Sequence, residues 1–517
     1  MNGRSAALWA LLAVLWFGTL GIRPLYKADE SRYGEIAREM VASGDWITPR
    51  LNGFKYFEKP PLQYWATAVF FHVFGERDWA ARLWTALLGF AGIAMVLYAA
   101  NRLFGAPIGY YAAAVLAGSP LYVLLGQVNT LDMSVSFFLS GAIFAFALGH
   151  MLLFWAACAL AVLSKGLIGI VLPLAALALY MLLKRNWALM RRLRIVPGAL
   201  LFLAIAAPWF IAVSAANAEF AHFFFVQEHF QRFTTEMHQR AHPAWYFIPV
   251  LAAGFAPWLV PLGHAAVRAV KERNDAELLL WAWALVVFVF FSASGSKLPP
   301  YILPIFPALA VLAARSLSRG VLVAQSLVTL PVALGAGLAV HRLASGGPYA
   351  GYASWILVAA LVLAAAAAAA LFMAWRQRLA GAVLALAIGG LVATQIGLAG
   401  HRTLSERFSV ASTVAALPEQ PPADAPVFAV DMYDHTLPWS LKRTVTMVGY
   451  RDELGDAVDW ERAKFVPDLL SFASRWNAAP QAWAFIPLAE AERLPRELGI
   501  RVQVMARGAQ YAIVKKP

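Results

Sequence analysis

About thirteen apolar runs, separated by short polar joints, leave this chain few folds to choose from. A helix needs ~20 mostly apolar residues to cross the hydrocarbon core of a bilayer. Within lipid its backbone polar groups must be satisfied inside the segment. The runs lie near 6–22, 79–102, 107–125, 131–148, 151–164, 166–183, 195–215, 244–266, 276–293, 299–315, 319–341, 351–374 and 379–400. The fourth to sixth are nearly continuous, broken only by Gly149-His150 and Ser164-Lys165-Gly166. Only 14% of the 517 residues are charged, against about 25% in a soluble domain. A polytopic α-helical membrane protein is therefore expected. The first run follows Arg4 and has no small-x-small cleavage site before Arg23-Pro24, so it reads as a retained helix. The single cysteine, Cys158, excludes an internal disulfide framework.

The net charge of +13 would suggest nucleic acid in a soluble protein. Here the cations concentrate in short joints, "LKRNWALMRRLR", "RAVKERND", "RSLSR" and "WRQR", which follow even-numbered runs. The alternate joints, such as "GQVNTLD" and "SASGSKLPP", carry far fewer. Positive charge marks the cytoplasmic side, so no nucleic-acid partner is expected and the amino terminus is placed in the cytoplasm. The long connection 23–78 and the segment after residue 400 then lie outside. Residues 1–400 form the expected transmembrane domain. Residues 401–517 are polar, with strand-like runs "VFAVDM", "RTVTMV", "RVQVMA" and "YAIVKK" between helix-like stretches "PDLLSFASRW" and "LAEAERLPREL". That alternation predicts a small α/β domain.

The outer connections hold the chemistry. In "DESRYGEIAREMVAS", Tyr33, Ile36, Ala37, Met40 and Val41 share one helical face. This predicts an amphipathic helix in the membrane interface. Asp29 and Glu30 stand at its start, where Asp29 reads either as an N-cap or as a functional acid. A second interfacial helix follows Pro60-Pro61, with Leu62, Trp65, Ala66, Val69 and Val73 as its stripe. Glu58 and Lys59 stand at its mouth, as a site pair or a surface ion pair of little energy. Asp132, Lys165, Glu228, His229, Arg232, Lys297 and Tyr301 lie on the other outer connections. Each has a bland reading alone: a cap for Asp132, an interfacial ring for His229, an aromatic-belt residue for Tyr301. Together they suggest a site at the membrane surface. Charges in mid-helix would instead suggest an ion path.

Several segments resemble the ArnT-type lipid A aminoarabinose transferases, within the protein O-mannosyltransferase-like membrane glycosyltransferases of GT-C architecture. They are "ADESRYGEIAREMVASGDWITPRLNGFKYFEKPPLQYW", "NTLDMSVSFF", "AVLSKGLIGIVLP", "EHFQRF", "SGSKLPPYILP" and "DMYDHTLPWSLKRTVTMV". The resemblance implies a GT-C fold and transfer of a sugar from a polyprenyl-phosphate donor to lipid A. The setting it implies is the periplasmic face of a bacterial inner membrane, among membrane lipids, with the enzyme a monomer. It implies catalytic roles for Asp29 and Asp132. Glu30, Lys59, Arg232, Lys297 and Tyr301 would serve the substrate and its carrier phosphate. Glu58 and His229 would hold a divalent metal ion. Pro300 stands where the family pattern has another residue, often Thr.

The leaving group of such a donor is a phosphate anion, so cations and hydrogen-bond donors must meet the charge developing on it. An acid such as Asp29 can stabilise a cationic anomeric carbon, or act as base toward a hydroxyl acceptor. A single displacement inverts the sugar. The same residues would serve another sugar or another acceptor, such as a glycolipid, polysaccharide or protein. A transporter would show repeated halves and broken helices around midplane charges, and the sequence has no such pattern.

Overall fold

The computed structural model describes residues 3–231 and 242–517. In chain order it begins with α1 (Gly3–Phe17) and α2 (Asp29–Ser43). A small hairpin of β1 (Arg50–Leu51) and β2 (Phe54–Lys55) precedes α3 (Leu62–Phe74) and α4 (Asp78–Phe104). Then come α5 (Ala106–Ala117), α6 (Pro120–Leu125), α7 (Asp132–Ala147), α8 (Met151–Lys165), α9 (Ile168–Lys184) and α10 (Ile195–Ala216). The chain forms two compact units, one of residues 1–20, 58–63 and 82–400, the other of 21–57, 64–81 and 401–517.

The first unit is a helical bundle, and all the expected apolar runs are helical. Among the described residues six helices are long and apolar enough to cross a membrane. Ala244–Gly254 and Ala256–Lys271 make a seventh if that pair, bent by 81°, is one span. Gly254 and Pro257 flank the bend, where proline cannot supply the helical N–H. Six further apolar helices are shorter. Val196, Leu200, Leu203 and Ile211 of α10 all face outward, a display that lipid tolerates and water does not. Close backbone packing uses small residues. A Cβ on Gly390 would stand 2.2 Å from the carbonyl oxygen of Gly118.

The second unit carries a five-stranded sheet of β3 (Val427–Val430), β4 (Thr446–Val448), β5 (Trp483–Pro487), β6 (Gln503–Arg507) and β7 (Tyr511–Lys515). The order is β4-β3-β5-β7-β6, with β3 parallel to β4 and β5 and β7 antiparallel to β5 and β6. Side chains alternate between two cores, as the strand period requires. Phe428, Val430, Ala484, Ile486 and Val514 pack with Phe472 and Trp476 on one face. Val427, Ala429, Trp483, Phe485 and Ile513 pack with Leu437 on the other.

The helices α2 and α3 differ from each other. Along α3, Val69 and Val73 point outward while Tyr64 and Phe71 are buried, the display expected of an interfacial helix. By contrast α2 is buried on every side from Glu30 to Met40, charged residues included. Its polar face is not solvated, because that face is occupied by ion pairs described below. Gly44, at φ 71°, ends α2 and returns its N–H to the Met40 carbonyl.

Candidate functional site

In the second unit, α2 presents one accessible acid. The Asp29 side chain is 47% exposed, whereas those of Glu30 and Glu35 are nearly or fully buried. Asp29 is not the N-cap: that position is Ala28, without a side-chain capping bond. Its carboxylate instead accepts a hydrogen bond from Nη1 of Arg32 at 3.1 Å. A carboxylate in the first turn is also favoured by the helix dipole.

Arg32 is shared. Its other terminal nitrogen, Nη2, donates to Oε2 of Glu453, and Oε1 of Glu453 lies 2.6 Å from Nε2 of His435. Burial pushes the Glu453 carboxyl up, but Arg32 and His435 outweigh it and hold the pKa at about 2. Burial works against the Arg32 cation, yet Tyr56, Glu453 and Asp29 raise its pKa well above the ordinary value. Glu30, expected at the carrier phosphate, turns inward to Arg23 and accepts the Tyr26 N–H at 3.3 Å. Breaking a buried pair of this kind strands a charge, at about 3–5 kcal/mol.

One α2 acid is poorly compensated. Oε2 of Glu39 accepts the Gly53 N–H at 2.9 Å, while its buried Oε1 has no hydrogen-bond partner. Burial, and then the nearby Glu35, push its pKa up to about 8. The folded state therefore holds this proton more tightly than the unfolded chain. Stability from it is full below about 4.5 and is lost as pH rises through about 8. Glu39→Gln is expected to raise the melting temperature by a few degrees at pH 8.5 and to change it little at pH 5. Equal shifts at both pH values would contradict the assignment.

In the first unit, cations and acids meet in two clusters. The Lys59 ammonium donates to Glu228 Oε2 at 2.9 Å and to the Glu58 carbonyl at 2.7 Å, with Oε2 of Glu58 at 3.9 Å. Asp132, in the first turn of α7, pairs with Lys165 in the last turn of α8. Each charge suits its helix end. The Lys165 ammonium also lies 4.7 Å from the centroid of the Tyr301 ring, which tilts against Phe291. Gln63 ties the Lys59 segment to the start of α7. It donates to Asn129 at 2.9 Å and accepts from Ser134 at 3.0 Å.

Lys297 is buried, its ammonium on the Ser294 carbonyl. Pro300 lies in the first turn of the 3-10 helix Pro299–Ile305, where a missing N–H costs nothing. Arg232 and the His229 side chain fall outside the described residues. Of the expected metal ligands only Glu58 can be weighed, and an ammonium stands beside it. No group of three or more His, Cys, Asp or Glu suited to a metal occurs among the described residues. No step below uses a metal ion.

Sequence reasoning had picked out Asp29, Lys59, Asp132, Lys165 and Tyr301. Of Glu453 and His435, only His435 lies within the quoted likeness of residues 431–448, and nothing in the sequence points to Glu453.

The aminoarabinose transferase C-terminal domain family matches residues 413–516. The dolichyl-phosphate-mannose-protein mannosyltransferase family matches residues 58–211. Undecaprenyl phosphate-alpha-4-amino-4-deoxy-L-arabinose arabinosyl transferases of Aeromonas hydrophila and Erwinia tasmaniensis are 35% and 34% identical over 326 and 330 residues. Both alignments cover 60% of this chain, and they span only 59% of those relatives' length. The crystal structure of ArnT from Cupriavidus metallidurans bound to undecaprenyl phosphate is 35% identical, with a TM-score of 0.95 over 100% of this chain and 99% of that one. Its apo form gives 0.92 over 99% and 98%. The chain belongs to the ArnT family of aminoarabinose transferases, multi-pass membrane proteins of the GT-C fold.

Proposed function

We propose that this protein transfers 4-amino-4-deoxy-L-arabinose from undecaprenyl phosphate to lipid A. The reaction is assigned to the periplasmic face of a bacterial inner membrane, with the protein acting as a monomer. Residues 1–400 are taken as the membrane domain and 401–517 as a periplasmic α/β domain. The observation that carries the reading is the whole-length likeness to a transferase structure holding undecaprenyl phosphate.

In this reaction an acceptor oxygen attacks the anomeric carbon as the bond from that carbon to the carrier phosphate breaks. The phosphate leaves with the electron pair. Lys59, Lys165, Lys297 and the Tyr301 hydroxyl are the groups assigned to its charge. Asp29 stabilises positive charge at the anomeric carbon. Toward a hydroxyl acceptor it also takes the proton. A lipid A phosphate is already an anion, so orientation then matters more than deprotonation. One displacement gives inversion. Asp132 holds Lys165 in place.

A second reading, transfer to a protein or another glycan, is favoured by the mannosyltransferase match at residues 58–211. Lipid A mass spectrometry from cells with and without the protein separates the two. An aminoarabinose increment that depends on the protein is expected. Unchanged lipid A, with the donor lipid present, would remove the first reading.

A further inference from the structure

Asp29 does not hold its position alone. Arg32 offers one terminal nitrogen to Asp29 and the other to Glu453. Glu453 is in turn fixed through its second oxygen by His435. The order is acid, base, acid, histidine, and all four lie in the second unit. The Arg32 side chain is 7% exposed and that of His435 6%, while that of Asp29 is 47% exposed. The Glu453 side chain is 18% exposed, so the first member is by far the most open to a substrate.

A guanidinium prefers to grip one carboxylate with both terminal nitrogens. At Asp29 it does not, because Glu453 takes the second nitrogen. Asp29 therefore keeps one hydrogen bond to Arg32 and half its surface. Without Glu453 the fork would close on Asp29, spending its second oxygen and damping its charge. His435 prevents Glu453 from turning away.

We propose that Glu453 and His435 are positioning residues for the reaction, acting through Arg32 to keep Asp29 singly bonded and available. This rests on the transferase reading above. It gives the α/β domain a part in catalysis that does not require it to touch the donor.

The experiment compares turnover of purified full-length variants in lipid with undecaprenyl-phosphate aminoarabinose and lipid A. Glu453→Gln is expected to lower kcat about 10- to 100-fold, with the donor KM little changed, as for a misplaced catalytic group. Arg32→Gln should also lower kcat, and adding Glu453→Gln to it should cost nothing more, because the path runs through Arg32. Should Glu453→Gln fail to fold, His435→Leu and His435→Gln replace it. The leucine variant loses turnover and the glutamine variant, which keeps a donor for Glu453, recovers most of it. Wild-type kcat in Glu453→Gln or in His435→Leu would overturn the inference. So would losses that multiply in the double variant. A wild-type protein that transfers no sugar would instead overturn the transferase reading.

Discussion

Asp29→Asn is expected to reduce kcat about 10²- to 10⁴-fold, the range for a positioned acid-base group. The substitution is nearly isosteric. Its side-chain oxygen can still accept from Arg32, which now bonds Asp29 at 3.1 Å, so α2 should keep its place. What disappears is the charge on the one accessible carboxylate of the helix. The donor KM should change little, since the carrier phosphate is assigned to cations elsewhere. A variant turning over within about threefold of wild type would remove Asp29 from the chemistry. The pH dependence then separates its two roles. A base gives a rate that falls below its pKa, whereas with a phosphate acceptor the acceptor's own titration dominates.

The second large effect is expected at Lys59. Lys59→Gln should lower kcat/KM about 10²- to 10³-fold, as for loss of one preorganised donor facing developing negative charge. The substitution has a second consequence, because the ammonium stands against both Glu228 and Glu58. Removing it leaves two partly buried acids near each other, so the melting temperature should fall as well. Lys59→Gln/Glu228→Gln distinguishes the effects. It should restore stability and leave turnover low. If the double variant regained wild-type turnover, the lysine would serve only to neutralise Glu228.

Much of the membrane architecture was legible because hydropathy does not depend on knowing a partner. A run such as 351–374 must be helical in lipid whatever it packs against, and the helix Ala350–Trp375 follows. The burial of α2 was not legible. Its pattern of apolar and charged faces fits an interfacial helix, and Glu453, which takes the charge of its Arg32, lies 421 positions away. The central strand β5 is weakly marked, since "AWAFIP" has one β-branched residue and ends in proline. Its place is set by the sheet. At the site, residue types at helix ends were readable, and their pairings were not. Nothing local to Asp132 or Lys165 says that one neutralises the other.

The bonds that α2 and the hairpin after it make to residues 445–461 also set a timetable for the chain's own synthesis. Arg32, Arg50 and Asn52 emerge early, yet Glu453, Glu461 and Val445 emerge near the end. Contacts so distant in sequence form late and slowly. Until the chain passes residue 461, Arg32 and Arg50 lack the distant acids that pair with them in the finished fold. The newborn membrane bundle thus carries an unfinished α2, and a prematurely terminated copy would have Asp29 with no finished mount.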